Sequence, residues 1–535
     1  MRTRLTSCAL TCLLACSSGE HDTDSAKTND TAERVSGNDS SDTASPPIDC
    51  EDPCEDPCET ESLASVELAI DTALLGSDIS RTAENPLSGF MTSYLWGEPA
   101  NDFPDQLEYF YLPMMDLWDE KGETLETGLE PHLQDAESRG HHAVVRVYID
   151  YPAVDYGLPD YLSDEVSCQT YEEFGGGCSP DYDNPLLVDA MLGLIEALGA
   201  QYDGDPRLGF VQVGLLGFWG EWHTWPHEDW FASQETQMAI LDAYDAAFQT
   251  TQMQIRLPHA NALDQRMGFH DDSFAYSTIG DVDWFFVPIL ESVGAENRWE
   301  DVAIGGEVRP ELQGWVFDED YELSEYQQDF NACVEATHVT YLLNYSAFNE
   351  DGTGYVGGEY DRAREAALTL GYQFEIQGAT LSARKMLEET VEVQVSVQIS
   401  QSGVAPFYYP LTLSLGSEAL NDPVIHEDEL QTLLPGETRS LIFELGRVPV
   451  ALLNQPLELT LDSDMLLDGQ DIAFATVTPW DTETTNTYLG WDLACEAENG
   501  DAIAVGETYG TNADGCDCRC DVDGIFRACG QAACD

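Results

Sequence analysis

Apolar and polar positions divide the chain into distinct regimes. Between residues 66 and 365, short β-like apolar runs alternate with stretches of helical spacing. Runs at 89–94, 108–115, 143–150, 208–216, 253–257, 273–277, 301–304 and 338–343 predict eight strands. Helical spacing at 125–139, 186–202, 233–248 and 322–336 places helices between several of them. Strands alternating with helices imply a parallel sheet, so this α/β stretch predicts a (β/α)8 TIM-like barrel over 66–368. From 369 to 485 the period becomes two. VEVQVSVQI at 391–399 alternates strictly, and runs at 411–415, 440–445, 457–461 and 472–477 follow, with turn signals such as Pro435-Gly436. That pattern predicts an antiparallel β-sandwich. Residues 486–535 show neither period and are rich in Gly, Asp and Cys, which predicts a small disulfide module.

The first 64 residues read differently. Arg2 and Arg4 precede a short apolar run ending Leu13-Leu14-Ala15-Cys16. The run is too short to span a bilayer and reads as a signal peptide over 1–15. Its ending resembles a bacterial lipobox, which implies a lipid on the Cys16 sulfur. Ser17 in place of an aspartate resembles outer-membrane sorting. The expectation is an outer-membrane lipoprotein of the bacterial cell envelope, facing the periplasm or the cell surface. Residues 16–64 carry almost no large apolar side chains and predict an acidic, Ser- and Thr-rich disordered stalk. The stalk closes on a repeat holding Cys50, Cys54 and Cys58.

Charge narrows the partners. Asp and Glu number 100 against 21 Lys and Arg. That excess excludes nucleic acid, whose phosphates it would repel, and disfavours anionic polysaccharides. Setting aside Cys8, Cys12 and Cys16 leaves twelve of the fifteen cysteines, an even number that suits an oxidising compartment. Cys168 and Cys178 bracket a Gly-rich loop and are expected to pair. Cys495, Cys516, Cys518, Cys520, Cys529 and Cys534 form the tail, and Cys333 is expected to be buried and unpaired.

The chemistry concentrates at GLLGFWGEWHTW, residues 214–225, which follows the fourth apolar run. In a βα barrel that edge carries the active site. Glu221 lies there among Trp219, Trp222 and His223. Apolar neighbours are expected to raise its pKa and make it a general acid. Glu307, in AIGGE after the seventh run, is the expected partner, its two glycines allowing close backbone approach to a ligand. Arg146 and Asp150 end the third run, and Arg146 is expected to hold Glu307 ionised. Arg256 and His259 flank the end of the fifth. His270, Asp271 and Asp272 sit before the sixth, and Tyr341 and Asn344 lie on or after the eighth. Trp222, Trp225 and Trp230 offer faces for sugar rings.

Two carboxyls at the ends of the fourth and seventh strands resemble the large clan of retaining glycoside hydrolases with (β/α)8 barrels. The resemblance implies an acid/base at Glu221, a nucleophile at Glu307, a carbohydrate substrate and no cofactor. The chain departs from that clan in carrying Gly220, rather than Asn, before Glu221. A second resemblance is to an uncharacterised bacterial family, domain of unknown function 4832 with its N-terminal barrel segment. It rests on NPLSGF at 85–90, RGHHAVVRVYID at 139–150, VGLLGFWGEWHT at 213–224, LPHA at 257–260, MGFHDDSF at 267–274, GGE at 305–307 and LGYQF at 370–374. Two other readings compete. One is a glycan-binding barrel lipoprotein without turnover. The other is a metal-dependent hydrolase using His223, His227, His259, His270 and Asp271; the first strand lacks the His-x-His often seen in such barrels, and Pro226 breaks helical His223/His227 pairing.

Overall fold

The computed structural model describes residues 65–528, apart from 97–102, 155, 259, 349–353, 387–389, 428, 482–485, 492, 498–500, 512–516 and 523–525. The signal, the stalk, Cys16, His259, Cys516, Cys529 and Cys534 lie outside the described residues.

Eight parallel strands close into a barrel. In chain order they are β1 (Gly89–Thr92), β2 (Leu107–Pro113), β3 (His142–Tyr148), β4 (Leu208–Val213), β5 (Gln252–Arg256), β6 (Met267–Phe274), β7 (Ile304–Val308) and β8 (Val339–Leu343). Each pairs with its sequence neighbour, and β8 pairs with β1 to close the ring. The barrel class and the number of strands match the apolar pattern. Two placements differ. β6 begins at Met267, so His270, Asp271 and Asp272 lie on the strand instead of before it. The polar run HDD masked a strand whose neighbours on both sides are apolar. β7 runs to Val308, so Glu307 is a strand residue and not a loop residue.

The helices follow from caps and apolar stripes. Pro185–Tyr202 starts where the Asn184 side chain accepts from the Leu186 N–H at 3.0 Å, with Pro185 in the first turn where its missing donor costs nothing. It buries Leu187, Met191, Leu194, Ile195 and Leu198 against the barrel wall. Gln234–Ala247 is capped by Ser233, whose oxygen accepts from the Thr236 N–H at 3.3 Å. Phe286–Val293 and Phe330–Thr337 follow β6 and β7. Between β5 and β6 the described residues hold only a short 3-10 turn, Ala260–Ala262, which is why that part of the chain showed no helical period.

Two four-stranded antiparallel sheets follow. One holds β9 (Phe374–Lys385), β10 (Thr390–Gln401) and β13 (Thr438–Pro449). The other holds β11 (Thr412–Gly416), β12 (Val424–Glu427), β14 (Leu457–Asp462) and β15 (Thr487–Leu489). The alternation of β10 buries Val391, Val393, Val395, Val397 and Ile399 on one face. The fourth strand of the first sheet comes from ahead of the barrel: Ser65–Ala69 pairs with β9.

The sandwich packs on the end of the barrel where the strands begin. The Tyr409 hydroxyl donates to the Gly209 carbonyl and accepts from the Gln252 N–H at 3.1 Å. Gln470 meets His142 at 2.8 Å, and Asn85 meets Ala473 at 2.8 Å. The tail adds a Cys495–Cys520 disulfide, and Cys495, Val505 and Val522 join the sandwich core.

Candidate active site

Strand alternation fills the barrel interior with polar side chains. Lower down, the Tyr109 hydroxyl donates to Gln212 at 2.8 Å and the Tyr341 hydroxyl to Gln254 at 2.8 Å. Tyr341 is therefore a fully buried support beneath the mouth. Above this layer sits Arg146, 2 % exposed. It donates to the Tyr111 hydroxyl, to Glu221 at 3.0 Å and to His270 Nε2 at 2.8 Å. Accepting through Nε2 requires neutral His270 with its proton on Nδ1. Burial, then the charge of Arg146, depresses its pKa well below the ordinary value, which agrees.

Glu221 rides on a loop of unusual backbone. Leu215, Trp219 and Trp222 all take left-handed φ, at 69°, 54° and 57°. Bulky residues reach that region at a cost of about 1–3 kcal/mol each, and such strain collects at functional sites. The loop is held from several directions. The Leu215 N–H bonds to the Val147 carbonyl at 2.7 Å, Trp219 N–H to Asp150 at 2.8 Å and Trp222 N–H to Leu216 at 2.9 Å. The Trp222 indole donates to the Val213 carbonyl at 2.9 Å, so this ring is part of the scaffold and presents no sugar platform. Gly220 is also left-handed, and a Cβ there would lie 3.0 Å from the Val147 carbonyl. A side chain there would have to displace that carbonyl, which favours Gly over Asn at this position.

The carboxylate of Glu221 meets Arg146 at 3.0 Å, Arg256 at 3.7 Å and His223 at 3.5 Å, with the Tyr111 hydroxyl at 3.5 Å. Burial alone would raise its pKa. The His223 hydrogen bond and the charges of Arg256 and Arg146 outweigh burial and hold it at about 2. Glu307 has the opposite environment. No ion pair reaches it among the described residues, and its pKa is pushed up to about 8, by burial first and by the charge of Glu221 second. The structure thus reverses the protonation expected from sequence. The cause is topological: Arg146 on β3 and Arg256 on β5 flank β4 and converge on its loop. The glycines before Glu307 also have another purpose. A Cβ on Gly305 would lie 2.4 Å from the Tyr341 ring, and one on Gly306 would lie 2.7 Å from the Asp271 carbonyl, so they admit neighbouring strands and not a ligand.

The remaining candidates divide. Asp272 joins the site through Arg256 at 2.6 Å. Asp271 faces the other side of β6, accepting from Thr278 at 2.6 Å and the Ser273 N–H at 2.9 Å, and burial pushes it to about 7. Asp150 accepts from the Tyr171 hydroxyl at 2.7 Å behind the Glu221 loop, and burial raises it to about 6. Asn344 is fully buried beside Tyr355. Trp225 is 59 % exposed, and Trp230 stacks on His227 with centroids 3.7 Å apart. Cys168 and Cys178 are bonded, closing a hairpin next to the Glu221 loop. Among the described residues no group of three His, Cys, Asp or Glu side chains is placed to hold a metal ion. His270 and Asp271 point to opposite sides of one strand.

Sequence reasoning missed Tyr111, Tyr151, Phe174 and Arg309. Tyr111 follows inward-facing Tyr109 by two residues, a signal the alternation of β2 carried. Tyr151 packs against Tyr111, centroids 5.4 Å apart, and its pKa is raised by burial, then by Glu307 and Glu221. One carboxylate and one carboxylic acid, close enough to feel each other, at the open end of a barrel, can divide the work of a nucleophile and a proton donor.

No family model matches the chain, so the resemblance to domain of unknown function 4832 gains no support there, and no curated protein matches it. Among solved structures it is similar to endo-glycoceramidase II from Rhodococcus sp. in a lactosyl-enzyme intermediate, at 10% identity and TM-score 0.33 over 68% of this chain and 97% of that one. A xylanase from Paenibacillus barcinonensis is similar at 11% identity and TM-score 0.30, over 54% and 97%. A GH10 xylanase of Thermobacillus composti is similar at 9% identity and TM-score 0.27, over 54% and 100%. At such scores these likenesses carry no conclusion about the reaction.

Proposed function

We propose that the protein is a retaining glycoside hydrolase in which Glu221 is the nucleophile and Glu307 the acid/base. One observation carries the division of roles, the opposite protonation states of the two carboxyls at the barrel mouth; the retaining course is what the resemblance to the retaining (β/α)8 clan implies. A nucleophile must be ionised, and Glu221 is, between two arginines. A general acid must hold its proton near neutral pH, and Glu307 does. Glu307 gives its proton to the glycosidic oxygen as Glu221 attacks the anomeric carbon and the bond to the leaving group breaks. The resulting glycosyl ester is opened by water, whose proton passes back to Glu307. This assignment is the reverse of the one implied by resemblance to the retaining clan.

Azide rescue tests it. With a panel of p-nitrophenyl glycosides, Glu307→Ala plus azide should give a glycosyl azide of the substrate's own anomeric configuration. Glu221→Ala plus azide should give the opposite configuration. Swapped products would exchange the roles. A wild-type protein that cleaves no glycoside while still binding glycan would favour the binding-protein reading.

The lipobox-like Leu13-Leu14-Ala15-Cys16 supports a lipid anchor and a place on the bacterial envelope. Cys16→Ser should release the protein from membranes. The formal net charge of −79 supports a glycan without uronic acid or sulfate groups.

A further inference from the structure

Two rows of aromatic side chains leave the mouth on different sides. The first starts at Glu221. His223, two residues on, lies 3.5 Å from that carboxylate, and its ring is 6.0 Å from Trp219. Trp219 is 5.1 Å from Phe174, and Phe174 is 6.0 Å from Trp225. The second row starts at Glu307. Arg309, again two residues on, acts on the Glu307 carboxyl and stacks 5.0 Å above Tyr276. Tyr276 is 4.9 Å from Tyr326, which is stacked near Trp284 at 6.4 Å. The first row belongs to the loops after β3 and β4, the second to those after β6 and β7, three strands round the barrel.

The outer rings of both rows are exposed. Trp225 is 59 %, Trp284 54 % and Phe174 43 % exposed. Phe174 sits at the tip of the hairpin closed by Cys168–Cys178, with φ at 54°, where Asn or Gly would be cheaper. Phe174 packs edgewise on Trp219 and Phe218 yet keeps much of its ring exposed, on a backbone that costs a bulky residue energy. Flat apolar rings edged by His223, Glu173 and Arg309 suit a pyranose, which offers an apolar C–H face and a rim of hydroxyls.

We infer that the mouth binds a single neutral polysaccharide across both rows, so that the enzyme cuts within the chain and not at its end. The inference rests on the glycosidase reading and adds the substrate class and the mode of attack. A pocket that cuts from the end needs a wall on one side of the carboxyl pair; among the described residues each carboxyl has its own row of rings leading away from it.

The test is affinity gel electrophoresis of Glu307→Gln full-length protein in β-glucan, xylan, mannan and α-glucan, with polygalacturonate as the anionic control. At least one neutral polymer should retard it and polygalacturonate should not. Replacing Phe174 and Trp225 by Ala, or Trp284 and Tyr326 by Ala, should each weaken the retardation about tenfold. Phe174→Tyr and Trp284→Phe should preserve it, which excludes misfolding as the cause. The inference fails if no neutral polymer retards the protein, if only one row matters, or if polygalacturonate binds best. Cleavage of the retarding polymer by the wild type is scored separately, as released reducing ends. Cleavage without dependence on either row overturns this inference alone. Dependence on both rows without any cleavage overturns the glycosidase reading and the internal attack with it.

Discussion

The two ends of the barrel both bury a charged carboxylate, yet they use it differently. At the closed end Glu108 is fully buried and satisfied by Arg139 at 2.6 and 2.8 Å and by His141 at 2.8 Å. The sandwich seals that end, and the polar groups there answer one another across the interface. At the open end Glu221 has a comparable set of cations, but a second carboxyl, Glu307, stands beside it without an ion pair among the described residues. The backbone of the open end is left-handed at three bulky residues, Leu215, Trp219 and Trp222. Buried ion pairing by itself is therefore a structural device. An unneutralised acid on a strand beside an ionised one on a strained loop is the arrangement that the proposed chemistry uses.

Removing each carboxyl breaks the comparison most directly. Glu221→Gln and Glu307→Gln should each lower kcat on an activated glycoside by roughly 10³-fold and keep the protein folded. Steady-state kinetics beside thermal melting would show this, and a loss below tenfold for either would remove it from the chemistry. Glu108→Gln should do the reverse. It strips half-buried Arg139 and buried His141 of their shared partner, which costs about 1–3 kcal/mol, and should leave kcat of the folded fraction unchanged. Urea unfolding measures the first quantity. A Glu108 variant as stable as the wild type would mean that this end does not depend on its ion pair.

The fold was largely legible in the sequence because period is a local property. β3, β4 and β10 announce themselves through runs and alternation that survive any tertiary context. β6 was misplaced because HDD reads as a loop, and only the ring of neighbours turns His270 and Asp272 inward and Asp271 outward. The Ser65–Ala69 strand is placed by a partner some three hundred residues away, which no local pattern reports. Glu221 and Glu307 were visible as candidates through their spacing from the strands. Their protonation states were not, because these depend on which arginine reaches which carboxyl across the barrel. Phe174 was hidden because the Gly-rich stretch around it reads as a turn, and only the disulfide-closed hairpin gives it a direction.

Arg256 offers a finer test of the open end. It is shared between Glu221 at 3.7 Å and Asp272 at 2.6 Å. Arg256→Gln should raise the Glu221 pKa while Arg146 keeps it ionised at neutral pH. The acid limb of kcat/KM should move to higher pH, with little loss at the optimum. An unmoved limb would mean that Arg146 and His223 alone set the charge.

The smallest effect is on stability against pH. Glu307 titrates near its ordinary 4.5 when unfolded and at about 8 when folded. Between those values the folded protein keeps a proton that the unfolded chain has lost, so raising the pH favours unfolding. The contribution is complete below the unfolded value and is lost as pH climbs towards 8. Asp150 at about 6 and Asp271 at about 7 have the same sign. Glu221 has the opposite sign: held at about 2, it stabilises above 4.5 and loses that contribution as pH falls. The melting temperature should therefore be highest near mildly acid pH and decline towards pH 8. Glu307→Gln should flatten part of the alkaline decline, by a few degrees at most, and leave the acid side as it was. Glu108→Gln, at the closed end, should lower the whole curve. If Glu307→Gln declines as steeply as the wild type between pH 5 and 8, Glu307 holds no proton there, and the division of labour at the mouth is lost.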